Sequence, residues 1–384
     1  MTPGNAAIPG HVDTPPIEID ADLFVIGPEG PLVDGLADRL RANRRLVFGP
    51  GADGAQLEGS KEYMKQLLDE AGVPAARWAS FDASQEKAAL DFLAGLDGLY
   101  VVKTDGLAGG KGVLVTSDLD EAADDVVAKL AGDSFGDAGT TVVIEEGMVG
   151  PELSVLAVCD GERAVPLAPA QDFKRLLDDD EGPNTGGMGA YSPVPVAGDK
   201  VVDQVMDEMI EPTLAALRRR GIEYRGVLYA GLMLTADGPR MLEYNVRFGD
   251  PEAQVVLPRL DSDLVGLLAE AAGGRIRSDP KFVADAAVTV VLAAHGYPAS
   301  PRQGDVIEGF EQAGERPGIT VFAAGVGRNE HGQIVTAGGR VLTVTGLAPT
   351  LAAARTNAYA AADLIGWEGQ QRRSDIAAVA AASP

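Results

Sequence analysis

The amino-acid sequence predicts a protein built from several α/β and α+β domains, and three observations support this prediction. With 384 residues, the chain is long enough for two or three domains with sizeable cores. A strand, a helix and a second strand follow one another between residues 22 and 48, as in a parallel sheet. After residue 285, strand-rich runs precede one long alanine-rich helix, which indicates a separate α+β module.

The first predicted sheet offers a candidate binding edge. An apolar run at residues 22–26 leads through a Gly/Pro-rich turn to a helical pattern at 33–42, and a second apolar run occupies 46–48. Ligands of parallel sheets bind near the carboxyl ends of the strands. We therefore expect substrate contacts from the turn after the first strand, namely Gly27, Pro28 and Glu29.

A glycine-rich loop between two β-rich runs predicts a phosphate site. Residues 101–115 contain four glycines and two lysines, Lys103 and Lys111. Glycines let backbone N–H groups approach phosphate oxygens, and lysines supply positive charge. The loop is not a Walker A motif, because no Gly-Lys-Ser/Thr follows the required spacing. Taken alone, the pattern also fits a plain hairpin.

A second polar segment follows far downstream. If residues 240–246 form a strand, its period of two places Glu243, Asn245 and Arg247 on one face. Leu242, Tyr244 and Val246 then form the packing face. Carboxylate and amide oxygens are hard ligands that suit Mg²⁺. The alternative is an amphipathic strand with a solvated face.

The rest of the chain alternates helical and strand-like patterns. Helices are predicted at 60–71, 84–95, 119–131, 200–221, 262–272 and 351–365, and strands at 77–81, 141–145, 153–159, 164–168, 226–234, 287–293, 319–324 and 340–345. The stretch 182–193 is so rich in glycine and proline that we expect an ordered but irregular loop with a function.

Composition excludes several classes of protein. A formal net charge of −25 repels nucleic acid, so an anionic small substrate must be held by local cations. The only cysteine, Cys159, lies in an apolar run and is expected to be a buried, inert thiol. The three histidines are isolated in sequence, which supports neither a histidine triad nor a zinc site. With no signal peptide and no long apolar stretch, we expect a cytoplasmic protein.

Several long motifs, in order, carry a resemblance to a known family. The segments 57–61, 103–113, 182–193, 226–233 and 247–254 together resemble the phosphoribosylamine–glycine ligases of the ATP-grasp superfamily. The resemblance implies an ATP-grasp fold with a truncated Rossmann-like N-terminal domain and a small C-terminal α+β domain. The implied boundaries are 1–52, 53–280 with an ATP-lid subdomain at 75–147, and 281–384.

The resemblance also implies an activity. Such enzymes join glycine to 5-phosphoribosylamine in purine biosynthesis, splitting ATP to ADP and phosphate through a glycyl phosphate. A carboxylate is a poor acyl donor and must be activated, and phosphoryl transfer needs metal and cations. The implied cofactors are ATP and Mg²⁺ or Mn²⁺, and the partners are small molecules. We expect no nucleic acid and no membrane partner, and a monomer or weak homo-oligomer.

On the nucleotide side, the resemblance assigns residues one by one. Lys61 and Lys103 would contact the phosphates, under a flap that includes Gly106, Gly109, Gly110, Lys111 and Gly112. Adenine and ribose would be held by Glu145, Glu146, Met148 and Glu152. Solvated strand-end charges remain an alternative for the first two glutamates, and an ordinary helix-start residue remains one for Lys61.

On the catalytic and acceptor sides, the implied metal ligands are Glu243 and Asn245. Catalysis would depend on Lys103, on Arg247 steadying the transferred phosphoryl group and on Asp250 as an orienting neighbour. The implied substrate-binding residues are Asp172, Lys174, Arg175, Asn184, Thr185, Gly186, Gly187 and Met188. Lys174 and Arg175 could instead neutralise the nearby aspartates.

The chain also departs from the family pattern. It lacks the opening strand, Gly-rich turn and helix, which predicts either a mis-called start or a real loss. Phe173 replaces a usual histidine, and Gly147 and Pro151 replace an aromatic residue and a glutamate. Two other readings stay open: a derived ligase that uses a different amine, and a nucleotide-binding homologue without ligase activity.

Overall fold

The structure is a computed structural model that describes residues 2, 4–107, 112–132 and 141–382. Its first elements are β1 (Phe24–Val25), α1 (Glu29–Val33), α2 (Leu36–Ala42) and β2 (Val47–Phe48). β1 and β2 pair in parallel, as predicted. The single helix predicted at 33–42 is wrong, because Gly35 adopts a left-handed conformation, with φ of 74°, between the two helices.

Two helices then meet at Ser60. They are α3 (Ala52–Gly59) and α4 (Lys61–Ala71). The Ser60 hydroxyl caps α4 by accepting a hydrogen bond from the Tyr63 N–H, and the helix ends at Gly72 in the left-handed conformation. This cap and this ending confirm the predicted helix at 60–71.

A four-stranded antiparallel sheet, here called the upper sheet, spans residues 78–146. The elements of this segment are β3 (Trp78–Asp82), α5 (Glu86–Leu93), β4 (Tyr100–Thr104), β5 (Val113–Thr116), α6 (Leu119–Leu130) and β6 (Thr141–Glu146), with strand order β3-β6-β4-β5. Side chains such as Leu93, Val126 and Ile144 form a core between the sheet and its two helices. The glycine-rich loop joins β4 to β5 at the sheet edge.

The middle of the chain supplies a second four-stranded sheet, the central sheet. The elements are β7 (Glu152–Asp160), β8 (Ala164–Pro166), β9 (Gln171–Asp172), β10 (Arg175–Leu177), β11 (Glu181–Asn184), β12 (Gly189–Ser192), α7 (Asp199–Val205), α8 (Glu211–Arg219), β13 (Arg225–Thr235) and β14 (Gly238–Asn245). A π-helical segment at Met206–Ile210 joins α7 to α8. The central sheet has the order β14-β13-β7-β8.

A five-stranded sheet, the C-terminal sheet, completes the fold. The remaining elements are α9 (Ala253–Val256), α10 (Leu264–Ala272), β15 (Ala286–Ala293), α11 (Phe310–Gly314), β16 (Ile319–Ala323), β17 (Val326–Arg328), β18 (Ile334–Thr336), β19 (Arg340–Ala348), α12 (Leu351–Ala362) and α13 (Ala378–Ala382). The sheet has the order β16-β19-β15-β12-β9. Helix α12 packs against β15 and β19.

The prediction of an irregular loop at 182–193 is wrong. This segment contains β11 and β12, and β12 pairs antiparallel with both β15 and β9. Gly189 begins β12, where the partner strand approaches closely. A Cβ at this position would lie 2.7 Å from the Thr289 carbonyl oxygen. Glycine is thus required for close packing, and the segment reaches across from the central region into the C-terminal sheet.

The core confirms the expectation for the cysteine. Cys159 on β7 is fully buried and unbonded to another sulfur, and burial raises the pKa of its thiol. A buried neutral thiol is unreactive. Among the described residues, no helix combines the length and apolar character needed to cross a bilayer.

Candidate active site

A cleft of about 770 Å³ lies between the upper sheet, the central sheet and the C-terminal sheet. Its wall contains most of the residues singled out from the sequence. Members of the predicted set that line it are Gly27, Pro28, Glu29, Lys61, Lys103, Gly106, Gly112, Glu145, Glu146, Met148, Glu152, Asp172, Lys174, Asn184, Thr185, Gly186, Glu243, Asn245, Arg247 and Asp250. Gly109, Gly110 and Lys111 lie outside the described residues.

One end of the cleft is apolar. Leu99, Val101 and Val115 approach from the upper sheet, and Met233 and Leu242 from the central sheet. Gly147 lies against this end, and a Cβ there would come within 2.2 Å of Leu99, so no aromatic side chain fits at this position. The apolar walls suit a flat heteroaromatic base.

Leu242 was assigned to the packing face of its strand, and that assignment is wrong. In the pairing of β13 with β14, Gly231 faces Glu243 while Leu232 faces Met241, so Leu242 is an extra residue in a β-bulge. Met241 is fully buried instead, and Leu242 lines the cleft beside Glu243. The period of two cannot reveal this bulge, because it depends on the partner strand.

The predicted metal ligands face the cleft. The Glu243 side chain is exposed and makes no hydrogen bond or ion pair with any described residue, and the Asn245 Oδ1 atom accepts a hydrogen bond from Arg247 at 3.3 Å. Among described residues, no group of three or more His, Cys, Asp or Glu side chains could hold a metal ion. A carboxylate and an amide oxygen nevertheless fit Mg²⁺, which commonly keeps waters and substrate phosphates as its other ligands.

Two lysines contact a buried glutamate in the cleft wall. The Glu145 carboxylate is 2% exposed, with Oε2 at 2.6 Å from the Lys65 Nζ atom and Oε1 at 2.7 Å from the Lys103 Nζ atom. The alternative that Glu145 is a solvated charge is therefore wrong. Glu146 lies nearer solvent, where its Oε1 atom accepts a hydrogen bond from the Arg77 N–H at 3.0 Å. Sequence reasoning did not assign Lys65.

Lys61 is tied to the base of the glycine-rich loop. Its Nζ atom donates to the Gly106 carbonyl oxygen at 2.8 Å, and its backbone N–H donates to Asp105 at 2.6 Å. Burial lowers the pKa of Lys61, and the neighbouring Lys103 lowers it further. This position in the cleft wall, next to a second cation, disfavours the alternative of an ordinary helix-start lysine.

Arg247 is held by a carboxylate that the sequence reasoning did not assign. The Arg247 Nη2 atom donates to Glu58 at 2.9 Å, and Glu58 also accepts from the Val246 N–H at 2.8 Å. Glu29 approaches the same guanidinium at 3.4 Å. Burial raises the pKa of Glu58 to about 7, although Arg247 opposes the shift. Glu58 lies in the quoted 57–61 motif, which could have marked it.

The acceptor side contains a lysine between two carboxylates. The Lys174 Nζ atom donates to Asp172 at 3.1 Å and also to Glu152. Burial raises the pKa of Asp172 to about 6, against the opposing effect of Lys174. Lys174 therefore does pair with a nearby aspartate, Asp172, as the alternative reading expected, and this pair lies in the cleft wall.

Other predicted acceptor residues lie behind this wall. Arg175 donates to the Gly182 carbonyl oxygen at 2.7 Å and supports the β10-β11 hairpin. Met188 is fully buried, and neither it nor Gly187 belongs to the described cleft lining. Phe173 packs its ring against Tyr191 and the Arg373 guanidinium. These residues support the lining rather than form it.

The C-terminal module contributes Arg340, which sequence reasoning missed. Its guanidinium donates to the Gly186 and Asp250 carbonyl oxygens at 2.6 and 2.7 Å, and to the Asp250 Oδ2 atom at 3.0 Å. No local pattern marks this arginine, because its partners are 90 or more residues away in sequence. Asp250 is thus held by Arg340 and Gln254, and no bond joins it to Arg247 in the described part of the chain.

These features together define an ATP-grasp protein. The antiparallel upper sheet lies on one side of an apolar slot, with Lys61 and Lys103 beside it, and the strand that carries Glu243 and Asn245 lies on the other. Models of the phosphoribosylglycinamide synthetase N domain, ATP-grasp (A) domain and C domain match residues 13–58, 59–253 and 287–379. The chain belongs to the phosphoribosylglycinamide synthetase family. The predicted family, the ATP-grasp fold and the assignment as an ATP-dependent ligase are confirmed.

Three proteins similar to this chain are all named phosphoribosylamine–glycine ligase. A phosphoribosylamine–glycine ligase of Streptomyces coelicolor is 49% identical, over 94% of this chain and 85% of the relative. The phosphoribosylamine–glycine ligase of Caulobacter vibrioides is 48% identical, over 94% of this chain and 84% of the relative. The crystal structure of phosphoribosylamine–glycine ligase from Thermotoga maritima has a TM-score of 0.82 and 35% identity, covering 94% and 87% of the two chains.

A more distant structure shares the fold alone. The biotin carboxylase domain of Hydrogenobacter thermophilus 2-oxoglutarate carboxylase has a TM-score of 0.69 at 16% identity, covering 92% of this chain and 76% of that one, and was crystallised with MgADP. ATP-grasp proteins use ATP with Mg²⁺ or Mn²⁺.

Proposed function

We propose that the chain is a phosphoribosylamine–glycine ligase of de novo purine biosynthesis. It joins glycine to 5-phosphoribosylamine and gives glycinamide ribonucleotide, ADP and phosphate through a glycyl phosphate. The observation that carries the proposal is the single cleft that brings Lys61 and Lys103, the Glu243–Asn245 pair and residues 184–186 together. The relatives named for this reaction are up to 49% identical over most of the chain.

The nucleotide binds at the end of the cleft formed by the upper sheet. Its base enters the slot between Val101 and Leu242, next to Glu146 and Met148. Lys61 and Lys103 attract the phosphates, and the glycine-rich sequence of residues 106–112 suits backbone N–H contacts to phosphate oxygens. Cationic side chains in a partly buried cleft stabilise the charge that develops during phosphoryl transfer.

Glu243 and Asn245 are the protein ligands of Mg²⁺ or Mn²⁺. When bound, the ion neutralises phosphate charge and orients the terminal phosphoryl group. Arg247, fixed by Glu58, directs its guanidinium to the same region and steadies the transferred group. The free carboxylate of Glu243 supports this assignment, because a structural carboxylate in the cleft would have a cationic partner.

The acceptor binds where residues 184–186 and the Asp172–Lys174 pair line the cleft wall. Charged groups held by buried partners keep a fixed orientation, which positions an amine for attack on the acyl phosphate. We place the N-terminal domain at 1–52, the ATP-grasp domain at 53–280 and the C-terminal domain at 281–384. The acceptor wall joins the last two.

Phosphate release tests the proposal. The purified chain is mixed with ATP, Mg²⁺ and glycine, with and without freshly made phosphoribosylamine, and both phosphate and glycinamide ribonucleotide are measured. We expect release that depends on both substrates, with one product formed per phosphate. Release with another amine instead would identify a derived ligase, and no release under any condition would identify a non-catalytic homologue; either result would overturn the proposal.

A further inference from the structure

Lys65 is a wholly buried cation to which the proposed reaction gives no role. Its side chain is 0% exposed, on α4 one turn after Lys61, and it does not belong to the described residues that line the cleft. Its Nζ atom donates to the Glu145 Oε2 atom at 2.6 Å. Burying an ammonium group is costly unless a partner compensates for the lost hydration.

Glu145 shares its carboxylate between Lys65 and Lys103. Val101 on β4 pairs with Glu145 on β6, so Lys103, two residues after Val101, lies on the same face of the upper sheet as Glu145. The Lys103 Nζ atom lies 2.7 Å from the Glu145 Oε1 atom. Of the two lysines, only Lys103 lines the cleft.

The charges of this triad determine how it acts on an anion. Lys103 and Glu145 alone would form a neutral pair and attract phosphate weakly. Lys65 adds a second ammonium group, whose pKa is lowered by burial against the opposing effect of Glu145. With all three groups ionised, the side chains together carry one net positive charge. Burial by itself would raise the pKa of Glu145, but Lys103 and Lys65 hold it below its usual value, so the carboxylate is ionised.

We propose that Lys65 is a positioning residue that compensates the charge of Glu145 from behind and thereby leaves the positive charge of Lys103 available to nucleotide phosphates. Glu145 in turn fixes the direction of the Lys103 side chain. The inference rests on the proposed function in one respect, that ATP binds in this cleft. Its distinctive consequence is that net charge, rather than the lysine itself, determines phosphate affinity.

The test compares variants that differ in the net charge of the triad. Lys65→Met leaves a neutral pair, Lys65→Arg keeps the native charge, and the double variant Lys65→Met/Glu145→Gln restores one positive charge without Lys65. Each folded protein, checked by circular dichroism and thermal melting, is titrated calorimetrically with the magnesium complex of AMP-PNP. Adenosine, which lacks phosphates, serves as the matched probe for general loosening of the cleft.

We expect Lys65→Met to weaken AMP-PNP binding roughly tenfold or more, with adenosine affinity changed less than about twofold. Lys65→Arg and the double variant should regain most of the AMP-PNP affinity. Unchanged AMP-PNP affinity in Lys65→Met, or equal losses for AMP-PNP and adenosine, would overturn the inference alone. Absence of AMP-PNP binding to the native chain would overturn the proposed function as well.

A second comparison covers the case in which Lys65→Met does not fold. The native chain and the double variant then decide the question, because their triads carry the same net charge. Affinities for AMP-PNP within about threefold of each other support the inference. A loss of about tenfold or more in the folded double variant, with adenosine affinity kept, contradicts it, since the net charge of the triad would then not determine phosphate affinity.

Discussion

Glu243 differs from the other carboxylates of the cleft wall in what it contacts. Glu58, Glu145 and Asp172 each accept a hydrogen bond from a neighbouring lysine or backbone N–H group. Glu243 has no such partner among the described residues, although it lies in the same wall. A carboxylate with free oxygens is suited to a ligand that arrives with the substrate.

We predict that Glu243→Ala lowers turnover by about 100-fold or more and leaves the fold intact. The exposed side chain holds nothing in the described structure, so its loss should leave the melting temperature nearly unchanged. Phosphate release and thermal melting measure the two effects. Asp237→Ala, at an exposed turn of the same hairpin, is the matched control and should keep full activity. Full activity in Glu243→Ala would remove the metal assignment.

Glu58 gives a pH dependence of stability that can be measured. Its pKa is about 7 in the folded chain, against an ordinary value of 4.5. Below pH 4.5 both states hold the proton, and between 4.5 and 7 only the unfolded chain releases it. Rising pH therefore favours unfolding in this window, and above about 7 the effect is constant.

Relative to Glu58→Gln, the native chain should lose free energy of unfolding as pH rises through this window, by up to about 3 kcal/mol. Urea unfolding at about pH 5 and about pH 7.5 measures the difference. Glu86→Gln, which removes an exposed carboxylate at the start of α5, controls for surface charge. A difference between native and Glu58→Gln that does not change with pH would contradict the raised pKa.

Among the elements, α4 connects the body of the protein to the upper sheet. Its N-terminus is capped from outside the helix: Asp105 accepts hydrogen bonds from the Lys61 and Glu62 N–H groups at 2.6 and 3.2 Å. Lys65 contacts Glu145 on β6, and Asp69 accepts from the Trp78 indole on β3. The helix that carries Lys61 is therefore fixed to the sheet that carries Lys103.

We predict that Asp105→Ala lowers stability by about 1 kcal/mol and raises KM for ATP severalfold. The Lys61 and Glu62 N–H groups lose their acceptor, although the Ser60 cap remains, and Lys61 is held less firmly beside the loop. Asp118→Ala is the matched control, because Asp118 accepts hydrogen bonds from the Asp120 and Glu121 N–H groups at the start of α6, a helix that contributes no residue to the described cleft lining. Equal effects of both variants on KM would show that Asp105 acts only through stability.

At the scale of the whole molecule, the C-terminal sheet completes the acceptor wall. β12 and β9, which carry or flank acceptor residues, are strands of that sheet. Arg340, on β19, bonds Gly186 and Asp250, and Tyr297 accepts a hydrogen bond from the Gly186 N–H at 3.1 Å. The C-terminal module therefore positions backbone that lines the cleft.

We predict that Arg340→Gln lowers kcat/KM for phosphoribosylamine by about tenfold or more and changes KM for ATP less than about twofold. The arginine holds Gly186 and Asp250, which belong to the proposed acceptor side of the cleft. Steady-state kinetics with each substrate varied in turn measures both quantities. Arg328→Gln, in the exposed β17-β18 hairpin, is the matched control. A loss confined to ATP binding would contradict this role.

Much of the architecture follows from local sequence. The helix at 60–71 could be predicted because Ser60 and Gly72 bound an amphipathic run, and the β4-β5 hairpin because two β-rich runs surround a glycine-rich loop. These signals are short-range, since capping, turn chemistry and periodicity each involve residues close in sequence. Lys103, Glu243 and Asn245 were found in the same way, from motifs of a few residues, and Lys61 was assigned from the family resemblance.

The errors have a common physical cause. The bulge at Leu242 depends on which residues of β13 lie opposite, and the strand at 189–192 depends on β15, about a hundred residues later. Glycine-rich sequence has weak conformational preference of its own, so its partner decides its structure.

The sequence by itself determined the family and most of the residues that line the cleft, because these are encoded in contiguous motifs. Only the tertiary structure decided which groups control those residues. Lys65 behind Glu145, Glu58 behind Arg247 and Arg340 behind Asp250 are each paired across long stretches of chain. Ion pairs and hydrogen bonds act over a few ångströms in space, whatever the separation in sequence.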